Sequence, residues 1–74
     1  MAVVQVCGCK DNGEGVIQGF VSNAEAEFYG VYVGEAGSFV HQVDRDLKEM
    51  AMGVAQDLIA RGLVTELDDK TFDA

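Results

Sequence analysis

Basic side chains are scarce in this 74-residue chain: five lysines and arginines stand against thirteen aspartates and glutamates, giving a net charge of -8. That balance works against nucleic acid or an anionic membrane as a direct partner, because gripping phosphate requires Lys and Arg. It favours a basic protein surface. Proline is absent while glycine occurs nine times, a balance suited to tight turns between strands. Cysteine occurs only twice, short of the roughly four to eight that mark a secreted disulfide scaffold. The apolar run in "MAVVQV" is too short for a signal-peptide core or a transmembrane helix, and no Lys or Arg precedes it. The expected location is therefore the cytoplasm. Internal repeats, low-complexity stretches and linkers are also missing.

What is present is the composition of one ordered domain, 49% hydrophobic and 24% charged. A chain of this size buries only about 60% of its unfolded surface, so its core is thin and a deep substrate cavity would consume it. The domain is expected to cover residues 1–67, with residues 68–74 as an acidic, mobile tail.

Two hairpins are expected. "AVVQVCGCKD" and "EGVIQGFVS" flank Asn12 and Gly13, a pair that favours a two-residue turn with positive φ at both positions. That turn sets Asp11 opposite Glu14, Cys9 opposite Val16, Cys7 opposite Gln18 and Gln5 opposite Phe20. Val4, Val6, Ile17 and Val21 then share one face, with Gly8 and Gly19 leaving them room. Cys7 and Cys9 fall on the other, more polar face as consecutive outward residues, together with Gln5, Val16, Gln18 and Phe20. The second hairpin joins "AEFYGVYV" to "SFVHQV" through Gly34, Glu35, Ala36 and Gly37, setting Tyr32 opposite Phe39, Gly30 opposite His41 and Val31 opposite Val40. A competing reading makes Ser22 the N-cap of a short helix over "NAEAEFY", with Glu25 three residues on.

The periodicity predicts one helix over "LKEMAMGVAQDLIAR". Asp46 and Glu49 read as a capping box, Leu47, Met50, Ala51, Val54, Leu58 and Ile59 recur along one face, and Gly62 followed by Leu63 reads as a Schellman stop. The segment beyond either adds a short strand over residues 63–67 or frays. The expected fold class is α+β: a four-stranded antiparallel β-meander of two hairpins with one C-terminal helix packed on one face. A single helix covers one face only, so the other stays partly open and implies a partner or a second copy.

Residues able to carry chemistry are few. Cys7, Cys9 and His41 could supply three zinc ligands, but structural sites space a cysteine pair by roughly two to four residues, and no fourth ligand is evident beyond a carboxylate. A disulfide between cysteines two apart on a strand would stretch the usual Cα separation. His41 with Asp44 and a cysteine nucleophile would need a cleft that so small a sheet scarcely provides. "GCKDNGEG" lacks the Lys-Ser/Thr of a phosphate loop and leads into a strand, and "DNGE" lacks the ligand spacing of a calcium loop. No catalysis, metal or cofactor is expected.

The expectation is a small cytoplasmic binding protein that acts by stoichiometric occlusion of a basic, nucleic-acid-binding partner surface, in the manner of a phage or mobile-element inhibitor of a CRISPR effector or restriction enzyme. Asp44, Glu49, Asp57, Glu66, Asp68 and Asp69 supply the steering charge, and Phe20, Tyr29 and Val31 the apolar anchor. A homodimeric accessory or structural subunit without any nucleic-acid-related role is the alternative.

Overall fold

The structure is a computed structural model that describes residues 2–35 and 37–73. The elements follow in the order β1 (Val3–Asp11), β2 (Ile17–Val21), β3 (Phe28–Glu35), β4 (Ser38–Arg45), α1 (Lys48–Ala60) and β5 (Glu66–Asp69). The four antiparallel strands and the C-terminal helix of the expected α+β fold are all present. Across the sheet they run β2-β1-β3-β4, the two hairpins lying side by side with β1 against β3. β5 adds a parallel pairing onto the N-terminal half of β1, from Val3 opposite Glu66 to Val6 opposite Asp69. The boundary expected at residue 67 therefore falls inside a strand. Beyond it, Lys70 N donates to Val6 O at 2.9 Å and Asn23 N donates to Phe72 O at 2.8 Å. Ala74 of the expected tail lies outside the described residues.

Alternation along β1 sends Val4 and Val6 to one face and Gln5, Cys7 and Cys9 to the other. α1 lies on the valine face. Its buried side chains are Ala51 and Ala55, small enough to bring the helix close to the sheet. They pack with Val4, Val6, Tyr29, Val31 and Val64, and Met52, Val54, Leu58, Ile59 and Leu67 complete the core. The helix is thus rotated from the expected phase: Leu47 and Met50, placed inward by periodicity, are exposed. The capping box is also displaced. β4 continues to Arg45, Leu47 becomes the N-cap with no side-chain cap, and its carbonyl accepts from Met50 N and Ala51 N at 3.1 and 3.2 Å. Asp46 then precedes the cap, although Glu49 still offers its charge to the first turn. The helix end is as expected. Gly62 sits at φ +75, and Gly62 N and Leu63 N donate to the Ile59 and Leu58 carbonyls at 2.9 and 3.0 Å, the Schellman pattern.

Both hairpin registers differ from the expected ones. In the first, Asp11 pairs with Ile17, leaving residues 12–16 as the loop. A second glycine explains the longer turn: Gly13 and Gly15 take φ of +88 and +77, so Asn12 is spared a left-handed conformation. The loop is held by Gly13 N on Asp11 Oδ1 at 2.9 Å and Glu14 N on Asn12 Oδ1 at 3.0 Å. In the second, Glu35 pairs with Ser38, Val33 with Val40 and Tyr32 with His41. Only positions 36 and 37 remain between the strands, and Ala36 lies outside the described residues. A bulge then shifts the pairing, so that Val31 faces Val43, and Val43 joins the helix face. Between the hairpins, "NAEAEFY" forms no helix. Glu25 N and Ala26 N both donate to Ser22 O, closing one turn before β3 begins at Phe28.

Candidate functional site: the uncovered sheet face

The face opposite α1 carries Gln5, Cys7 and Cys9 from β1, Gly30 and Tyr32 from β3, and Phe39, His41 and Asp44 from β4, placed by strand alternation and the registers above. β2 adds Gly19 opposite Cys9 and Ile17 opposite Asp11. Between Gly8 and Cys9 that ladder skips a residue, and the extra residue is Phe20. Phe20 has φ +58, the sole non-glycine with positive φ among the described residues. A β-bulge re-aims the side chain it inserts, and here the ring stands 57% exposed. A groove of about 430 Å³ results, lined by Gln5, Cys7, Gly19, Phe20, Tyr32, Gly37 and Phe39.

The floor of the groove is built from glycine and sulfur. A Cβ at Gly30 would lie 2.8 Å from Tyr32 Cε1 and 3.3 Å from Cys9 Sγ, so the bare backbone is what lets Tyr32 fold over its own strand toward the cysteines. The two sulfurs are 3.7 Å apart. Both cysteines are reduced and buried, which corrects the expectation of outward residues: the face is right, but Tyr32 and the neighbouring strands close over the thiols.

Burial, reinforced by neighbouring Cys7, pushes the Cys9 thiol up to about 11, and burial followed by the charges of Cys9, Cys7 and Asp44 pushes the Tyr32 phenol up to about 12. At neutral pH Cys9 and Tyr32 are therefore uncharged. A protonated, enclosed thiol is a poor nucleophile. His41 Nε2 lies 2.8 Å from Asp44 Oδ1, and the imidazole meets the Tyr32 ring edge-on at a centroid distance of 5.3 Å. Tyr32 thus stands on the histidine side of the thiols. Among the described residues no group of three or more His, Cys, Asp or Glu side chains could hold a metal ion.

The expected site residues fall in different places. Of the three apolar anchors, Phe20 alone stands on the uncovered face. Tyr29 and Val31 are 8% and 0% exposed beneath α1, so they belong to the core and cannot meet a partner. The carboxylates divide between the two sides of the sheet. Asp44 sits on the uncovered face with His41. Asp68 reaches the same face, its Oδ2 accepting from Gln5 Nε2 at 3.4 Å and lying 3.4 Å from Lys70 Nζ. Glu66, two residues earlier on β5, shares its side by alternation. Asp69 points the other way and accepts from Thr71 N and Oγ1 at 2.9 and 2.6 Å. Glu49 and Asp57 lie on α1, with Asp57 2.9 Å from Arg61 Nε. Three of the six acidic residues therefore flank the aromatic face, and the other three do not.

The groove residues not singled out from sequence are Gln5, Gly19, Tyr32, Gly37 and Phe39, while Cys7 was weighed there only as a ligand or nucleophile. Alternation alone sets Tyr32 and Phe39 on one sheet face, although the register pairs Tyr32 with His41 and Phe39 with Gly34 rather than with each other. Which face the helix would cover was the missing choice. Comparison of the chain with protein families, curated proteins and solved structures returned no match.

Proposed function

We propose that this protein is a stoichiometric binding module that seats the uncovered face of its sheet on a basic surface of another protein, occluding it. The observation that carries this reading is Phe20, held exposed at φ +58 over an aromatic groove. A bulky residue kept in a costly backbone conformation and half in water gains little for its own fold, and such strain gathers at working surfaces. The net charge of -8, with Asp44, Glu66 and Asp68 flanking the groove, sets the partner's sign. A surface that grips nucleic acid has the required chemistry, and an acidic protein lodged there blocks it. Two free, buried thiols suit the reducing cytoplasm that this reading takes as its setting. Among the described residues no helix is long and apolar enough to cross a membrane.

The test begins with capture of the partner from the native host lysate on the tagged protein. Association with that partner should slow as salt rises, because charges on exposed surfaces are screened beyond about 10 Å at 0.1 M ionic strength. Reversing Asp44 and Asp68 to Lys should slow association further, and Phe20→Gly should speed dissociation. Association indifferent to both salt and the reversal would refute steering by this face. A second reading has its own observation. Among the described residues β4 pairs with β3 alone, and Val40, Leu47 and Met50 are exposed, so two copies could join through the outer edge of β4. Sedimentation of the purified chain distinguishes a dimer from a monomer that binds only in the presence of the partner.

A further inference from the structure

We infer that the groove is a receptor for a single guanidinium side chain, an arginine of the partner stacked among Phe20, Tyr32 and Phe39. This rests on the docking reading above and names the group that enters.

Three of the chain's six aromatic residues line this one groove. An aromatic ring attracts a cation over its face through its quadrupole, and the attraction strengthens as the cation is desolvated. Arginine suits such a place better than lysine, because its planar guanidinium is weakly hydrated and stacks on rings. The polar groups are arranged for the same guest. The Gln5 amide lines the wall, and its Nε2 donates to Asp68 Oδ2 at 3.4 Å, which holds a carboxylate at the rim. The cation now beside that carboxylate is Lys70, at 3.4 Å and on an exposed side chain. An incoming guanidinium would take its place without breaking any buried contact. None of the described residues lining the groove is basic, so none of their side chains repels the guest.

Size narrows the occupant. At about 430 Å³ the groove is at the lower end of the range for small-ligand sites, enough for one side chain and too small for a helix. A second copy of this chain is disfavoured by the same charges that attract arginine, since each copy would bring its own -8. An aliphatic side chain would fill the volume and leave Asp68 unused.

The experiment uses the whole chain, isotopically labelled, titrated with three capped tripeptides: acetyl-Gly-Arg-Gly-amide, its citrulline counterpart, which is isosteric and uncharged, and its leucine counterpart. The arginine peptide should move the amide signals of Gly19, Phe20, Tyr32 and Phe39, and bind at least about fivefold more tightly than the other two, as a partly desolvated cation–π contact implies. Phe39→Leu should erase that preference and Phe39→Tyr should keep it. Phe20→Gly serves as a second ring deletion should Phe39→Leu fail to fold. Equal binding of citrulline or leucine, shifts centred elsewhere, or no shifts at tens of millimolar peptide would each overturn the inference. Salt-sensitive binding of the captured partner alongside no preference for arginine would sink the inference and spare the docking reading. Arginine selectivity alongside partner binding indifferent to salt and to the Asp44 and Asp68 reversals would do the reverse.

Discussion

Phe20 offers a test in which two substitutions differ only in a methyl group. Replacing it by Ala or by Gly removes the same ring and the same partial burial, so the difference between the variants reports the backbone alone. At φ +58 a residue with a Cβ carries a penalty of roughly 1–2 kcal/mol. Glycine escapes it but gives up roughly 0.5–1 kcal/mol of chain entropy elsewhere in a strand. The balance leaves Phe20→Gly more stable than Phe20→Ala by about 0.5–1 kcal/mol. For a domain of this size that is a gap of about 2–8 °C in melting temperature, within reach of thermal denaturation followed by circular dichroism. Gln18, exposed on the same strand and paired with Lys10 in regular register, is the control. There Ala should beat Gly by the usual margin. If Ala equals or exceeds Gly at position 20 as it does at position 18, Phe20 is not in a left-handed bulge and the aim of its ring into the groove is lost as an argument.

Other outcomes follow from neighbouring features. Gly13→Ala and Gly15→Ala should each destabilise by about 1 kcal/mol in urea melts, purely through φ, because a Cβ at either site meets nothing within 4 Å. Ser22→Ala should leave stability unchanged or raise it by up to about 1 kcal/mol, since the Ser22 hydroxyl is buried with no hydrogen-bond partner among the described residues; a clear loss would reveal a contact to that oxygen. The Cys9 thiol ionises near 9.0 when free and about 11 in the fold, so its stabilisation is whole below pH 9 and is lost as pH rises through 11, on the order of 3 kcal/mol in all. Denaturation midpoints measured from pH 8 to 11 should fall along that course and flatten in Cys9→Ala. A thiol reagent at pH 8 should react with the cysteines only as fast as the protein opens, and immediate reaction of the native protein would contradict their enclosure.

Strand alternation separated Val4 and Val6 from the cysteines, and Tyr29 and Val31 from Tyr32, before any fold was known, because a period of two is a local property of extended chain. Gly62 announced the helix stop for an equally local reason. The registers were not local. Asn12-Gly13 satisfies the rule for a two-residue turn, but Gly15 offers a second site for positive φ, and the side chains of Asp11 and Asn12 bind the longer loop. The Phe20 bulge had no signal at all, since phenylalanine is a poor residue for left-handed backbone. Helix phase likewise depended on contact: Leu47 and Met50 match the apolar periodicity, yet the close approach of Ala51 and Ala55 to the sheet turns them out. The site inherited that uncertainty, because the choice of anchors depends on which side of β3 the helix covers, and both sides are apolar.

The parallel pairing of β5 on β1 makes the first strand of this sheet wait for its fifth. Hairpins can form as soon as their own residues exist, and the β1 to β3 contact needs only the first half of the chain. The flank of Val3, Val4, Gln5 and Val6, however, stays unpaired until Glu66, Leu67, Asp68 and Asp69 arrive. During synthesis this leaves an apolar strand edge open to other chains, the situation in which nascent proteins pair wrongly. Carboxylates at three of the four β5 positions give the closing strand a charge that keeps it from competing as an aggregating edge itself. The order of synthesis of β1 and β5, as much as their folded contacts, thus bears on the acidity of β5.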